Sequence, residues 1–165
     1  MRMNLEGTSL KREDIDSKRV LTTRFRSNAF YAWDTGRGIG RYLQGLKAGE
    51  IWGTHCDTCN RTVVPPRIFC ERCMKNQVSW VKLQDTGIIN TFSICYVNWD
   101  ASRVEEPHLP AVIEIDGASQ GHGILHVLDE VNPKDLKIGM KVKAVWKRPE
   151  ERNADITDIL YWKPY

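Results

Sequence analysis

Four cysteines, Cys56, Cys59, Cys70 and Cys73, form two Cys-X-X-Cys pairs with ten residues between them. Two intervening residues let a tight turn aim both sulfurs at one point, and two such turns complete a tetrahedron. Four thiolates close the coordination sphere of a structural Zn²⁺ and leave no position for water or substrate. The expected chemistry is therefore binding rather than catalysis, with one Zn²⁺ per chain, iron being the other metal such a sulfur set holds. The competing arrangement, two disulfides, needs an oxidising compartment. Nothing supports one: Met1 to Gly7 runs into the charged Lys11-Arg12-Glu13-Asp14, with no apolar core of a signal peptide and no stretch long enough to cross a bilayer. A fifth cysteine, Cys95, would also be left over. The expected location is the cytoplasm. Asn60-Arg61-Thr62 matches a glycosylation acceptor, but its place between the metal turns marks it as coincidence.

No other residues assemble into a reactive set. Cys95 alternates with Ile94 and Tyr96, as a small buried side chain of a strand would. His55 adjoins Cys56, where four sulfurs already suffice, and His108, His122 and His126 lack metal-ligand or nucleophile-activating spacing. Glu105-Glu106, beside Pro107 and Pro110, reads as a solvent-facing barrel loop. Gly36-Arg37-Gly38-Ile39-Gly40-Arg41 invites a phosphate-loop reading, but Arg41 stands where a dinucleotide fingerprint needs glycine, and no buried strand precedes it. These glycines are read as opening a helix. A non-enzyme is expected.

A metal turn module of about 25 residues cannot bury enough apolar surface to fold alone, so the ion must nucleate it. Replacing Cys56 or Cys70 by Ser is expected to loosen this module and leave the rest of the chain less affected. Around the module the chain divides into four parts. Residues 1–23 are polar and aperiodic and read as a flexible tail. Residues 24–50 form a helical segment, in which Ile39, Tyr42, Leu43 and Leu46 make one apolar stripe and Gly49 supplies the stop. Phe25, Phe30, Tyr31 and Trp33 suggest a shorter preceding helix or an aromatic loop. Residues 51–77 are the zinc ribbon, whose Val64-Pro65-Pro66-Arg67 forms an extended link between the turns. Residues 78–165 carry five strand patterns, at 88–97, 111–115, 123–128, 140–146 and 156–162. Five strands in so short a span suit a small closed barrel, an OB-fold first and a sandwich second. The fold class expected is mainly β with N-terminal helices, a zinc ribbon followed by a five-stranded OB-fold barrel.

Charge is uneven. Residues 1–77 hold 14 Lys and Arg against 8 Asp and Glu, a net +6, whereas residues 78–165 hold 10 against 13, a net −3. A barrel that grips a polyanion presents a basic groove with stacking aromatics. An acidic barrel argues against nucleic acid, although a single-stranded RNA-binding ribbon and barrel of an RNA-processing or transcription assembly remains the alternative function. Arg37, Arg41, Lys47 and Arg67 lie nearest the apolar stripe and the ribbon, and could meet a compact anion or an acidic partner.

Two runs carry a family resemblance: Tyr42 to Cys59, through Gly49-Glu50-Ile51-Trp52-Gly53, and Val64-Pro65-Pro66-Arg67 followed by Cys70-Glu71-Arg72-Cys73. Together with Gly87-Ile88-Ile89, Pro110 to Gly117 and Ile138-Gly139-Met140-Lys141-Val142, they resemble the acyl-CoA-associated OB-fold family with a rubredoxin-like zinc ribbon. The resemblance spans roughly residues 30–165 and implies an N-terminal helical hairpin, a ribbon and an OB barrel. It also implies a hetero-oligomeric complex with thiolase-superfamily enzymes. In archaea such proteins bridge acetoacetyl-CoA thiolase and hydroxymethylglutaryl-CoA synthase at the head of the mevalonate pathway. The family offers no catalytic residues to carry over. The expected role is a scaffold assisting acyl-CoA transfer, with Arg37, Arg41 and Arg67 as contacts to acyl-CoA or partner and Trp33, Trp52 and Trp99 as docking anchors.

Overall fold

The computed structural model describes residues 11–23, 32–76, 79–98 and 100–165, in two units, Met1–Trp33 and Asp34–Tyr165. In the first, the described part of the stretch read as a flexible tail, residues 11–23, holds a short helix, α1 (Arg12–Asp16). The Asp14 carboxylate accepts the Lys11 N–H at 3.1 Å and pairs with Arg19 at 2.9 Å, which accounts for order in so polar a stretch. Phe25, Phe30, Tyr31 and Trp99 lie outside the described residues.

The second unit opens with α2 (Gly36–Ala48). Its stripe buries Tyr42 and Leu46 and half-buries Leu43, while Ile39 stays largely exposed. Gly49 ends the helix in the left-handed region, φ 77°, where glycine alone carries no steric cost. A three-stranded antiparallel sheet follows, ordered β2–β1–β3, from β1 (Ile51–Cys56), β2 (Arg61–Val63) and β3 (Ser79–Leu83). Strand β3 pairs with β1 along its length, Ile51 opposite Leu83, so this sheet draws on chain from both sides of the second cysteine pair.

The barrel is built from β4 (Thr86–Phe92), β7 (Pro110–Ile115), β8 (Gly123–Val127), β9 (Lys141–Trp146) and β10 (Ile159–Pro164). Hydrogen bonding runs β10–β9–β4–β7–β8, and Leu128 then meets Trp162 in a parallel bridge that returns the order to β10. The Asp129 N–H donates to the Trp162 carbonyl at 2.9 Å on the same seam. Counted within the barrel, the circuit is 1-2-3-5-4 and back to 1, which is OB topology. Alternate residues face inward, as the strand period of two requires: Ala111, Ile113 and Ile115 on β7, Val142 and Ala144 on β9. Register shifts at Ile89/Thr91 and Ile159/Tyr161 supply the extra curvature that closure needs.

The run 88–97, expected as one strand, breaks at Ser93-Ile94. Its second half is β5 (Cys95–Val97), which pairs with β6 (Arg103–His108) in a hairpin forming a sheet of its own between β4 and β7. Cys95 is thus half-buried on this hairpin and not a core residue, because the strand leaves the barrel before reaching it. Glu105 and Glu106 are exposed as expected, but on a strand. One apolar cluster joins helix, ribbon and barrel: Tyr42, Leu46, Ile51, Val64 and Leu83 are continuous with Ile89, Ile113, Ile124, Val142, Ile159 and Trp162.

Candidate metal centre and an arginine-lined cavity

Cys56 is the last residue of β1, and Cys59 closes the turn into β2. Cys70 and Cys73 lie in a second turn, which the Met74 N–H seals by donating to the Cys70 carbonyl at 2.8 Å. The two turns repeat one design. In each, the residue after the second cysteine is left-handed, Asn60 at φ 49° and Met74 at φ 56°. In each, two backbone amides donate to the first sulfur: those of Cys59 and Thr58 to Cys56, those of Cys73 and Arg72 to Cys70.

All four sulfurs lie within 4.8 Å of one another, with Cys56 to Cys73 at 3.6 Å and Cys59 to Cys70 at 3.7 Å. Sulfurs about 2.3 Å from a central ion stand about 3.8 Å apart in a regular tetrahedron, so the cluster fits a Zn²⁺-sized cation. All five cysteines are free thiols. Electrostatics points the same way. The amides of Cys73 and Arg72 hold the Cys70 thiol down to about 6. Burial and the neighbouring thiols of Cys73 and Cys70 push Cys59 up to about 12. At Cys56 the amides of Cys59 and Thr58 lower the value, but burial and the facing thiols prevail and raise it. Four such groups cannot all ionise together without a cation among them.

Around the sulfurs, Arg61 from the first turn pairs with Glu71 from the second at 2.7 Å, lacing the two together, and Arg67 reaches the same carboxylate at 3.4 Å. Burial and the adjacent Arg61 guanidinium lower the pKa of His122, which faces it from the β7–β8 connection. Ser119, on that connection, accepts from the Thr62 N–H at 3.0 Å and donates its own N–H to the Thr62 carbonyl at 2.9 Å. The ribbon is thereby bonded to the barrel directly behind the metal turns. His55 sits off the sulfurs, its Nδ1 bonded to the Thr62 hydroxyl at 2.9 Å. The buried Thr54 hydroxyl clamps the backbone of Arg67, donating to its carbonyl at 3.0 Å and accepting its N–H at 3.1 Å.

Of the three arginines singled out from sequence, two come together. Arg37 and Arg41 line one cavity of about 500 Å³ with Ile68, Asn76 and Trp80. Arg67 instead belongs to the Glu71 pair in the ribbon. Trp52 is half-buried: its N–H donates to Glu50 at 2.9 Å, and the Arg41 guanidinium lies 4.9 Å from its ring centroid and 4.5 Å from that of Trp80. Sequence reasoning missed Trp80 and Asn76, because no local pattern ties them to α2. Trp33 is exposed, on the other unit. No described helix is long and apolar enough to cross a membrane.

Comparison with known proteins agrees with this architecture. Residues 43–76 match the ChsH2 rubredoxin-like zinc ribbon domain, and residues 80–147 match the ChsH2 C-terminal OB-fold domain. A DUF35 domain-containing scaffold protein of Methanocaldococcus jannaschii is 30% identical over 104 residues, 62% of this chain and 72% of that protein. A protein of the same description from Methanothermobacter thermautotrophicus is 24% identical over 107 residues, 64% of this chain and 78% of the other. Among solved structures, the Ltp2-ChsH2(DUF35) aldolase matches 81% of this chain and 98% of its own, with TM-score 0.59 at 19% identity. A DUF35 protein of unknown function from Sulfolobus solfataricus matches 79% and 87%, with TM-score 0.60 at 22% identity. These two likenesses establish the fold.

Proposed function

This chain belongs to the DUF35 domain-containing scaffold protein family, and from that premise we propose that it is a non-catalytic scaffold that holds thiolase-fold enzymes together. The partners in this reading are of the acetoacetyl-CoA thiolase and hydroxymethylglutaryl-CoA synthase type, in the cytoplasm. Joining two such enzymes raises the effective concentration of the acyl-CoA intermediate at the second site. The benefit is greatest where the first step is unfavourable unless its product is removed.

The observation that carries the reading is the closed set of four sulfurs, in two turns laced by the Arg61–Glu71 pair and tied to the barrel by the Thr62–Ser119 bond. Cys56, Cys59, Cys70 and Cys73 would hold one Zn²⁺. With every ligand position taken by protein, the ion's contribution is to hold a shape. The scaffold descriptions of the archaeal relatives support that emphasis. In this reading residues 24–50 bring the helix, 51–77 the ribbon and 78–165 the barrel, with β3 lending the ribbon sheet its third strand. Arg37 and Arg41 are contact residues for acyl-CoA or partner, and Arg67 orders the ribbon.

Affinity capture by the tagged, metal-loaded chain from native extract, read by mass spectrometry, tests the partner class. A thiolase-superfamily chain is expected at stoichiometric yield; a capture without one defeats the assignment. Turnover of an acyl thioester by the purified chain alone would defeat the scaffold reading itself.

A further inference from the structure

We propose that the open edge of β8 is a docking site for an extended segment of a partner protein, which adds to the barrel as a further strand. The segment carries apolar side chains at alternate positions and a carboxylate at one end. The inference rests on the scaffold reading and names a surface by which such a scaffold grips its partner.

The backbone is the first argument. Strand β8 pairs with β7 on one side, and on the other the barrel closes through the single bridge of Leu128 with Trp162. The Ile115 N–H donates to the His122 carbonyl at 3.3 Å, and the Leu128 N–H to the Leu109 carbonyl at 2.9 Å. Antiparallel pairs alternate between bonded and non-bonded, so Ile124 and His126 are the residues that bond to β7. Gly123 and Leu125 therefore turn their N–H and C=O groups toward the seam, where among the described residues no strand receives them. Such a row of donors and acceptors is a template for one more strand.

The second argument is what the edge lacks. Natural edges are blunted by proline, lysine or inward charge. Strand β10 follows that rule, ending in Lys163-Pro164, and β9 turns Lys141 and Lys143 to solvent. The run Gly123-Ile124-Leu125-His126-Val127 has none of these, and its outward side chain Leu125 is 68% exposed. Leu125 and Val127 meet Ile156 and Leu160 around a depression of about 340 Å³. All four are exposed, a contiguous apolar patch of the kind that marks a protein contact.

Charge selects the occupant. The depression is walled in part by Lys147, held by the Thr157 hydroxyl at 2.9 Å, and by no carboxylate. A second copy of this chain would bring the same apolar face and another lysine, whereas a segment with a terminal acid complements both.

The probe is a synthetic peptide of alternating valine and threonine that ends in aspartate, added to the zinc-loaded chain. Saturable binding at one per chain is expected. Amide exchange, read residue by residue by NMR, should slow at least about tenfold at Leu125. Ile124 and His126, already bonded to β7, should change little. Leu125→Lys puts an edge charge on a side chain already in water. It should weaken the peptide about tenfold or more and leave the melting temperature near wild type. Lys147→Glu should weaken the same peptide and favour one ending in lysine; no change in either would overturn the role of Lys147. No saturable binding at millimolar peptide, protection confined to other strands, or binding unchanged by Leu125→Lys would overturn the site. Dimerisation of the chain alone that Leu125→Lys abolishes would overturn it in favour of a second copy. Thiolase-class capture that persists in full with Leu125→Lys removes only this inference; peptide binding without capture removes only the scaffold's named partners.

Discussion

Asn60 and Met74 occupy equivalent places in the two metal turns, and both are left-handed. Asparagine tolerates that conformation; methionine has no preference for it, so the turn around the first pair could be anticipated and the second only from its cysteines. Asparagine already places a Cβ near the following carbonyl at φ 49°, and a β-branched residue adds a second γ carbon against the backbone there. Asn60→Val should therefore cost about 1–2 kcal/mol and lower metal affinity, whereas Asn60→Gly should stay near wild type. Urea denaturation with a colorimetric zinc assay checks both. At this scale much of the site could be read directly, because Cys-X-X-Cys spacing is local geometry. The Arg41 stack could not, since Trp80 is brought to α2 only by the pairing of β3 with β1.

The elements were legible where their signals are periodic. The stripe of α2, the Gly49 stop and the alternation in β7 follow from side chains three, four or two apart. What sequence hid was pairing between distant segments: β3 joining the ribbon sheet, the hairpin leaving the barrel at Ser93, and the seam between β8 and β10. Gly45 is a helix interior glycine whose purpose appears only in the packed structure. Gly45→Ala should gain helix propensity and still destabilise by about 1–3 kcal/mol, because the new methyl displaces Trp52. Thermal and urea melts measure the sum. The seam makes a second prediction. Glu130, just past β8, accepts from the Tyr161 hydroxyl and from Lys163 at 2.9 Å on β10. Tyr161 and Lys163 lower the Glu130 pKa, and Glu130 raises that of Tyr161. A lowered acid stabilises above its unfolded value, about 4.3, and that contribution is lost as pH falls through the folded value. Below about pH 4.3, Glu130→Gln should therefore show a shallower fall in melting temperature than wild type.

At the scale of the molecule, the shared core decides how the metal matters. The sequence leads to the expectation that metal loss loosens the ribbon and affects the barrel's core less. Tyr42, Leu46, Ile51 and Val64 instead continue into Ile89, Ile113 and Trp162 as one cluster, and Ser119 ties the ribbon backbone to the barrel. Residues 34–165 should accordingly unfold in one calorimetric transition, and chelation should move that transition to lower temperature. A separate low-temperature ribbon peak in the chelated protein would contradict the shared core. The net +6 of residues 1–77 beside the net −3 of residues 78–165 is the other molecular feature visible in sequence, and Arg37 and Arg41 lie on its basic side.

The departure of β5 from the barrel sets one sulfur apart from four. Cys95 stands half-open on its hairpin, while Cys56, Cys59, Cys70 and Cys73 face one another. An alkylating or disulfide-exchange reagent should therefore count about one rapidly reacting thiol in loaded protein and five after chelation. A cuvette and a chromogenic disulfide would then report ion occupancy in crude preparations.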